Sequence, residues 1–71
     1  MHDFKAIIFI VKEYLADGKK VKILDKDVAD TLEISQTNFA TIKRRNSIPY
    51  ENILRFCKRE GFSYSKIFFK N

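Results

Sequence analysis

The sequence predicts an all-α fold, a small bundle of short helices, and three observations carry that prediction. Apolar residues recur at three- and four-residue spacing in successive stretches, residues that start and stop helices fall at the ends of those stretches, and no segment alternates long enough to make a strand. Only two Gly and one Pro occur in 71 residues, so no flexible linker, low-complexity tract or repeat is expected. Residues 1–71 read as one domain, because a division would leave neither half enough apolar surface to fold. A domain this small needs a dense core, and the 45% hydrophobic content, including seven Phe and three Tyr, can supply it.

The first helix is expected over about residues 4–16, where Phe4, Ile7, Ile8, Val11, Tyr14 and Leu15 form one stripe and Gly18 follows as a C-terminal signal. Phe9 falls on its far side and is expected to pack under another segment, the alternative being a contact surface. Lys19 to Leu24 reads as a loop. A second helix over about 26–32 carries Val28, Ala29 and Leu32, with Asp25 as its N-cap. Ser35 caps a third helix that begins at Gln36, continues through Phe39 and Ile42 and ends near Arg44 or Arg45. Ser47 and Pro49 together mark the start of a fourth, about 49–60, since serine can satisfy open amides and proline has none to satisfy in a first turn. Its inward stripe reads Ile53, Leu54 and Cys57, with Phe56 at the edge and Gly61 as terminator. Ser63 is placed to cap a last short turn carrying Tyr64, Ile67, Phe68 and Phe69.

Composition narrows the function. The single Cys57 has no internal disulfide partner, and with one His it makes no zinc set, so it reads as a reduced core thiol suited to the cytoplasm. The start Met1-His2-Asp3 lacks a basic region and the apolar run Ala6 to Val11 is six residues, too short for a signal peptide or a membrane span. Asp25, Asp27 and Asp30 are spaced for capping and a solvated face, not for an oxygen cage, and the lone His2 near the terminus suggests no metal or catalytic role. With no phosphate-binding glycine loop, no nucleophile and base pair and no ligand cluster, neither an enzyme nor a cofactor nor a small-molecule ligand is expected.

Net charge of +5 and a pI near 9.5 favour polyanionic partners, but position says more than the sum. All nine acidic residues lie at or before Glu33 or at or after Glu51, so the window from Ile34 to Tyr50 carries Lys43, Arg44 and Arg45 without a carboxylate. Two short helices joined through Glu33, Ile34 and Ser35 have the spacing of a helix-turn-helix, about residues 25–45, with Ala29 small where the helices would cross. At 100° per residue, Phe39 and Ile42 share one side of the third helix. Gln36, Thr37, Ala40, Thr41 and Arg44 cluster opposite, with Lys43 and Arg45 on the flanks. Gln can pair with adenine, Arg with guanine, Thr with a thymine methyl or a base edge, and flanking cations suit phosphates. The small Ala40 lets such a helix approach a groove floor. Lys19, Lys20 and Lys22 in the loop, and the Tyr50 hydroxyl, are further phosphate candidates, a solvated loop and a packed ring being the alternatives.

The segment from Asp27 to Phe69 resembles the helix-turn-helix domain of bacteriophage CI-type repressors, most closely in Asp27-Val28-Ala29, Ile34-Ser35-Gln36 and the run Ser47-Ile48-Pro49-Tyr50-Glu51-Asn52-Ile53-Leu54. The resemblance implies a five-helix repressor-like fold, double-stranded operator DNA as ligand, dimeric action on two half-sites in the bacterial cytoplasm, and Gln36, Thr37, Thr41 and Arg44 at the base edges. Two residues depart from that pattern. Glu33 stands where such turns commonly have glycine, and a left-handed backbone there costs about 1 kcal/mol or more. Ile42 replaces an aromatic residue, keeping the position apolar with less volume. Longer members continue into a C-terminal domain, so a chain ending at Asn71 is expected to be a fragment or a minimal protein. The competing expectation is a protein-interaction module using the aromatic tail of Ile67, Phe68 and Phe69.

Overall fold

The computed structural model describes residues 3–63 together with Ser65 and Ile67. Within them the chain forms four helices and no strand: α1 (Phe4–Ala16), α2 (Asp25–Thr31), α3 (Gln36–Arg45) and α4 (Tyr50–Glu60). The fold is thus a small helical bundle with four helices among the described residues, not five. The last turn expected after Ser63 lies largely outside them, although Ile67 is seen fully buried against the other helices. His2, Tyr64, Phe68 and Phe69 also lie outside the described residues.

One cluster fills the centre of the bundle. Phe4, Ile7, Ile8 and Val11 from α1 meet Val28, Ala29 and Leu32, with Phe39 from α3 and Ile53, Phe56 and Cys57 from α4. Each large side chain buried in this way contributes roughly 1.5–3 kcal/mol relative to exposure. Burial also raises the Cys57 thiol pKa, so the core thiol stays protonated. Edge-on aromatic pairs join α1 to the others: Phe4 to Phe39 at 5.3 Å, and Tyr14 to Phe56 at 5.6 Å. The Tyr14 hydroxyl donates to Glu60 at 3.1 Å, which raises the pKa of the phenol. Arg59, and after it this same bond, lowers the carboxyl pKa of Glu60.

Local chemistry sets the helix ends, and it differs from the sequence reading at two starts. Leu24, not Asp25, occupies the cap of α2, and the Asp27 carboxylate reaches back to accept the Leu24 amide at 2.9 Å. Ser47 does not cap α4. Pro49 takes that place, with φ −80° and ψ 74°, and the Tyr50 amide donates to the Ile48 carbonyl at 2.9 Å. Those angles make an inverse γ-turn centred on proline, which aims the chain into the helix without a side-chain cap. At the start of α1, Asp3 accepts the Ala6 amide at 2.9 Å. The Phe4 amide donates to Asn46 Oδ1 at 3.1 Å, so the residue ending α3 in a left-handed turn (φ 54°) also caps α1.

Two apolar assignments change. Phe56 is fully buried and Leu54 is 47% exposed, the reverse of the expected stripe, because the Phe56 ring packs in a three-ring cluster with Tyr14 and Phe62 while Leu54 lies on the opposite flank. Phe9 is 59% exposed and is not covered by another described segment. It stands beside Lys5 and Lys12 on the outer side of α1.

Candidate nucleic-acid interface

The connection between α2 and α3 is a complete Schellman closure. Ile34 N–H donates to the Ala29 carbonyl at 2.9 Å and Glu33 N–H to the Asp30 carbonyl at 3.1 Å, with Glu33 between them at φ 60°. Glu33 therefore takes the left-handed backbone itself, with the penalty that a non-glycine residue carries there. Two α4 side chains seven residues apart, hence on one face, hold the turn. Asn52 Nδ2 donates to the Leu32 carbonyl at 2.9 Å; Arg59 donates to the Thr31 carbonyl at 2.7 Å and to the Glu33 carboxylate. Carbonyls left open at the end of α2 thus find partners on α4, and the side chain carried by the strained residue helps to keep it there. Ser35 then starts α3 by accepting the Asn38 amide at 3.2 Å.

Seated by buried Phe39 and half-buried Ile42, α3 presents the side expected from its wheel. Gln36, Thr37, Ala40, Arg44 and Arg45 are exposed, and the side chains of Gln36, Thr37, Arg44 and Arg45 make no hydrogen bond or ion pair within the described residues. Gln36, Ala40, Lys43 and Arg44 line one hollow of about 540 Å³, whose rim is completed by Lys5 from α1 and by Asp25 and Lys26 from α2. Thr41 is turned away from it. Its hydroxyl donates to the Thr37 carbonyl at 3.1 Å, and it lines a smaller hollow of about 220 Å³ with Asn38, Ile34 and Asn52.

The phosphate candidates divide. Arg45 is free at the end of α3, as is the base-edge candidate Arg44 beside it, where cations are favoured by the helix dipole. Lys43 is engaged: its ammonium lies 2.5 Å from Asp25 Oδ2, while Lys12 lies 2.8 Å from Asp25 Oδ1. Hydrogen bonds from Lys12 and then Lys43 hold the Asp25 carboxyl below its ordinary pKa. Although α3 itself carries no carboxylate, α2 brings one to its side. Lys19, Lys20 and Lys22 are exposed in the loop before α2 and line neither hollow, and Tyr50 stands 55% exposed at the start of α4.

Four contributors were not singled out from sequence. Lys5 and Lys26 gave no local signal beyond charge, since only the packing of α1 and α2 carries them to Gln36 and Arg44. Asn52 and Arg59 lie 19 to 28 residues from the turn they hold. A carboxylate at the glycine place was a hint that a cation must face it, but not which one.

No described helix is long and apolar enough to cross a membrane, and no group of three metal-ligating side chains converges among the described residues. No protein-family model, curated protein or solved structure matches the chain.

Proposed function

We propose that this chain is a sequence-specific DNA-binding domain, a transcriptional regulator of the bacteriophage CI repressor type, whose α3 enters the major groove. One observation carries the reading: the solvent side of α3 is polar and free of its own carboxylates, with unpaired Gln36 and Arg44 either side of the small Ala40 among the described residues. A merely solvated helix face usually mixes charge signs. Here Gln36, Thr37 and Arg44 are the base-edge readers, and Arg45, Lys5 and Lys26 supply cations for the adjoining phosphates. Thr41, bonded to its own helix, has the smaller share. Binding as a homodimer to two half-sites and action in the cytoplasm of a bacterial host belong to the same proposal.

The interaction-module alternative is weakened at one of its three residues, because Ile67 is spent in the core. Selection from a randomised duplex library tests the proposal. An enriched half-site of a few base pairs is the expected result, and recovery of unenriched sequence overturns it. Four to six neutralised phosphates would make the log of affinity fall by about 0.9 per contact per tenfold rise in salt.

A further inference from the structure

Beside the reading face, Asp25 is the one carboxylate lining the larger hollow, whose other charged residues are Lys5, Lys26, Lys43 and Arg44. It sits where two hollows meet, since Lys5, Asp25 and Lys43 line both the 540 Å³ hollow on α3 and a 390 Å³ hollow running along α1 past Phe9 and Lys12. Its two oxygens are divided between ammonium groups from different helices, Oδ1 to Lys12 at 2.8 Å and Oδ2 to Lys43 at 2.5 Å. All three side chains remain a third or more exposed, so the cluster is open to solvent and to any polyanion laid across α3. Capping does not account for Asp25, because Leu24 holds the cap and Asp27 makes the return bond.

We infer that Asp25 is a specificity-determining residue, a built-in anion that occupies Lys12 and Lys43 and so withholds two cations from the phosphates of arbitrary DNA. This inference rests on the DNA-binding reading above. The physical reason is that sequence-independent affinity grows with every phosphate a free cation neutralises, whereas base-edge contacts are unaffected by that count. A protein gains discrimination by weakening the wrong complex as well as by strengthening the right one. A phosphate approaching Lys43 must compete with a carboxylate already in contact and is repelled by it. Gln36 and Arg44, which make no such pair, stay available to bases.

Affinity for a random-sequence duplex and for the selected site, each measured across a salt series, tests the inference with the full chain and its Asp25→Asn and Asp25→Glu variants. With Asn, random-sequence affinity should rise several-fold at low salt and its salt slope should steepen by about 0.9 to 1.8. The ratio of specific to random affinity should then fall. Glu should restore the original slope, and Lys43→Met added to Asp25→Asn should remove part of the gain. Equal random-sequence affinity in the original and Asn proteins, or an unchanged specificity ratio, overturns the inference. If no duplex is bound at all, the DNA-binding reading itself fails. If duplexes are bound with preference and Asp25→Asn alters nothing, only the role of Asp25 fails.

Discussion

Replacing Glu33 by glycine with and without Arg59 measures how the turn before α3 is held. Glu33 adopts φ 60°, a conformation costing a non-glycine residue about 1–2 kcal/mol that glycine takes freely. Glycine gives back about 0.4–1 kcal/mol through the greater freedom of the unfolded chain. It also loses the ion pair to Arg59, which is half exposed at both ends and is worth about 0.2–1 kcal/mol. The three effects nearly cancel, so Glu33→Gly alone should leave stability within about 0.5 kcal/mol of the starting protein. Arg59→Met removes that pair together with the bond to the Thr31 carbonyl and should cost about 1–2 kcal/mol. In the Arg59→Met background glycine at position 33 has no pair left to lose, so it should now stabilise, by about 0.5–1 kcal/mol. Thermal and urea unfolding resolve this, because 1 kcal/mol moves the midpoint of a domain this size by about 4–8 °C. Equal effects of glycine in both backgrounds would refute the coupling between Arg59 and Glu33. A loss above about 1 kcal/mol in both would refute the claim that the left-handed residue is strained.

Four further outcomes follow from the contacts. Phe56→Ala should cost about 3–5 kcal/mol and Leu54→Ala under about 1, measured by urea midpoint, since only the first is buried. Asn46→Ala should destabilise more than Asn46→Gly in the same assay: both lose the cap on Phe4, but only alanine must bear φ 54°. Asp25 is held below its ordinary pKa of 3.8, so its contribution is complete above that value and disappears as pH falls through the lower folded one. Acid titration of Asp25→Asn should show that part of the stability loss flattened. Gln36→Ala or Arg44→Ala should relax preference at one base pair by about 1–3 kcal/mol, while Arg45→Ala should weaken all duplexes alike, as read by competition binding.

Periodicity in sequence marked the four described helices to within a residue or so, because burying one stripe of a helix imposes a spacing that any reader of the chain can count. The same counting placed Gln36, Thr37, Ala40 and Arg44 on the exposed side of α3, since a side opposite Phe39 and Ile42 must face outward. That a left-handed residue is wanted at Glu33 was implied by the resemblance and not by spacing, and it is the structure that gives φ 60° there. Which flanking residue goes inside lay beyond counting: Leu54 and Phe56 border the same stripe, and only the rings of Tyr14 and Phe62 choose between them. Pairings across the bundle were equally out of reach. Arg59 with Glu33, Asn46 with Phe4, and Lys12 and Lys43 with Asp25 join residues 13 to 42 positions apart in the chain. Spacing along a helix records which side is buried, whereas the angle at which two helices cross, decided by side-chain packing in three dimensions, determines which charges and caps meet.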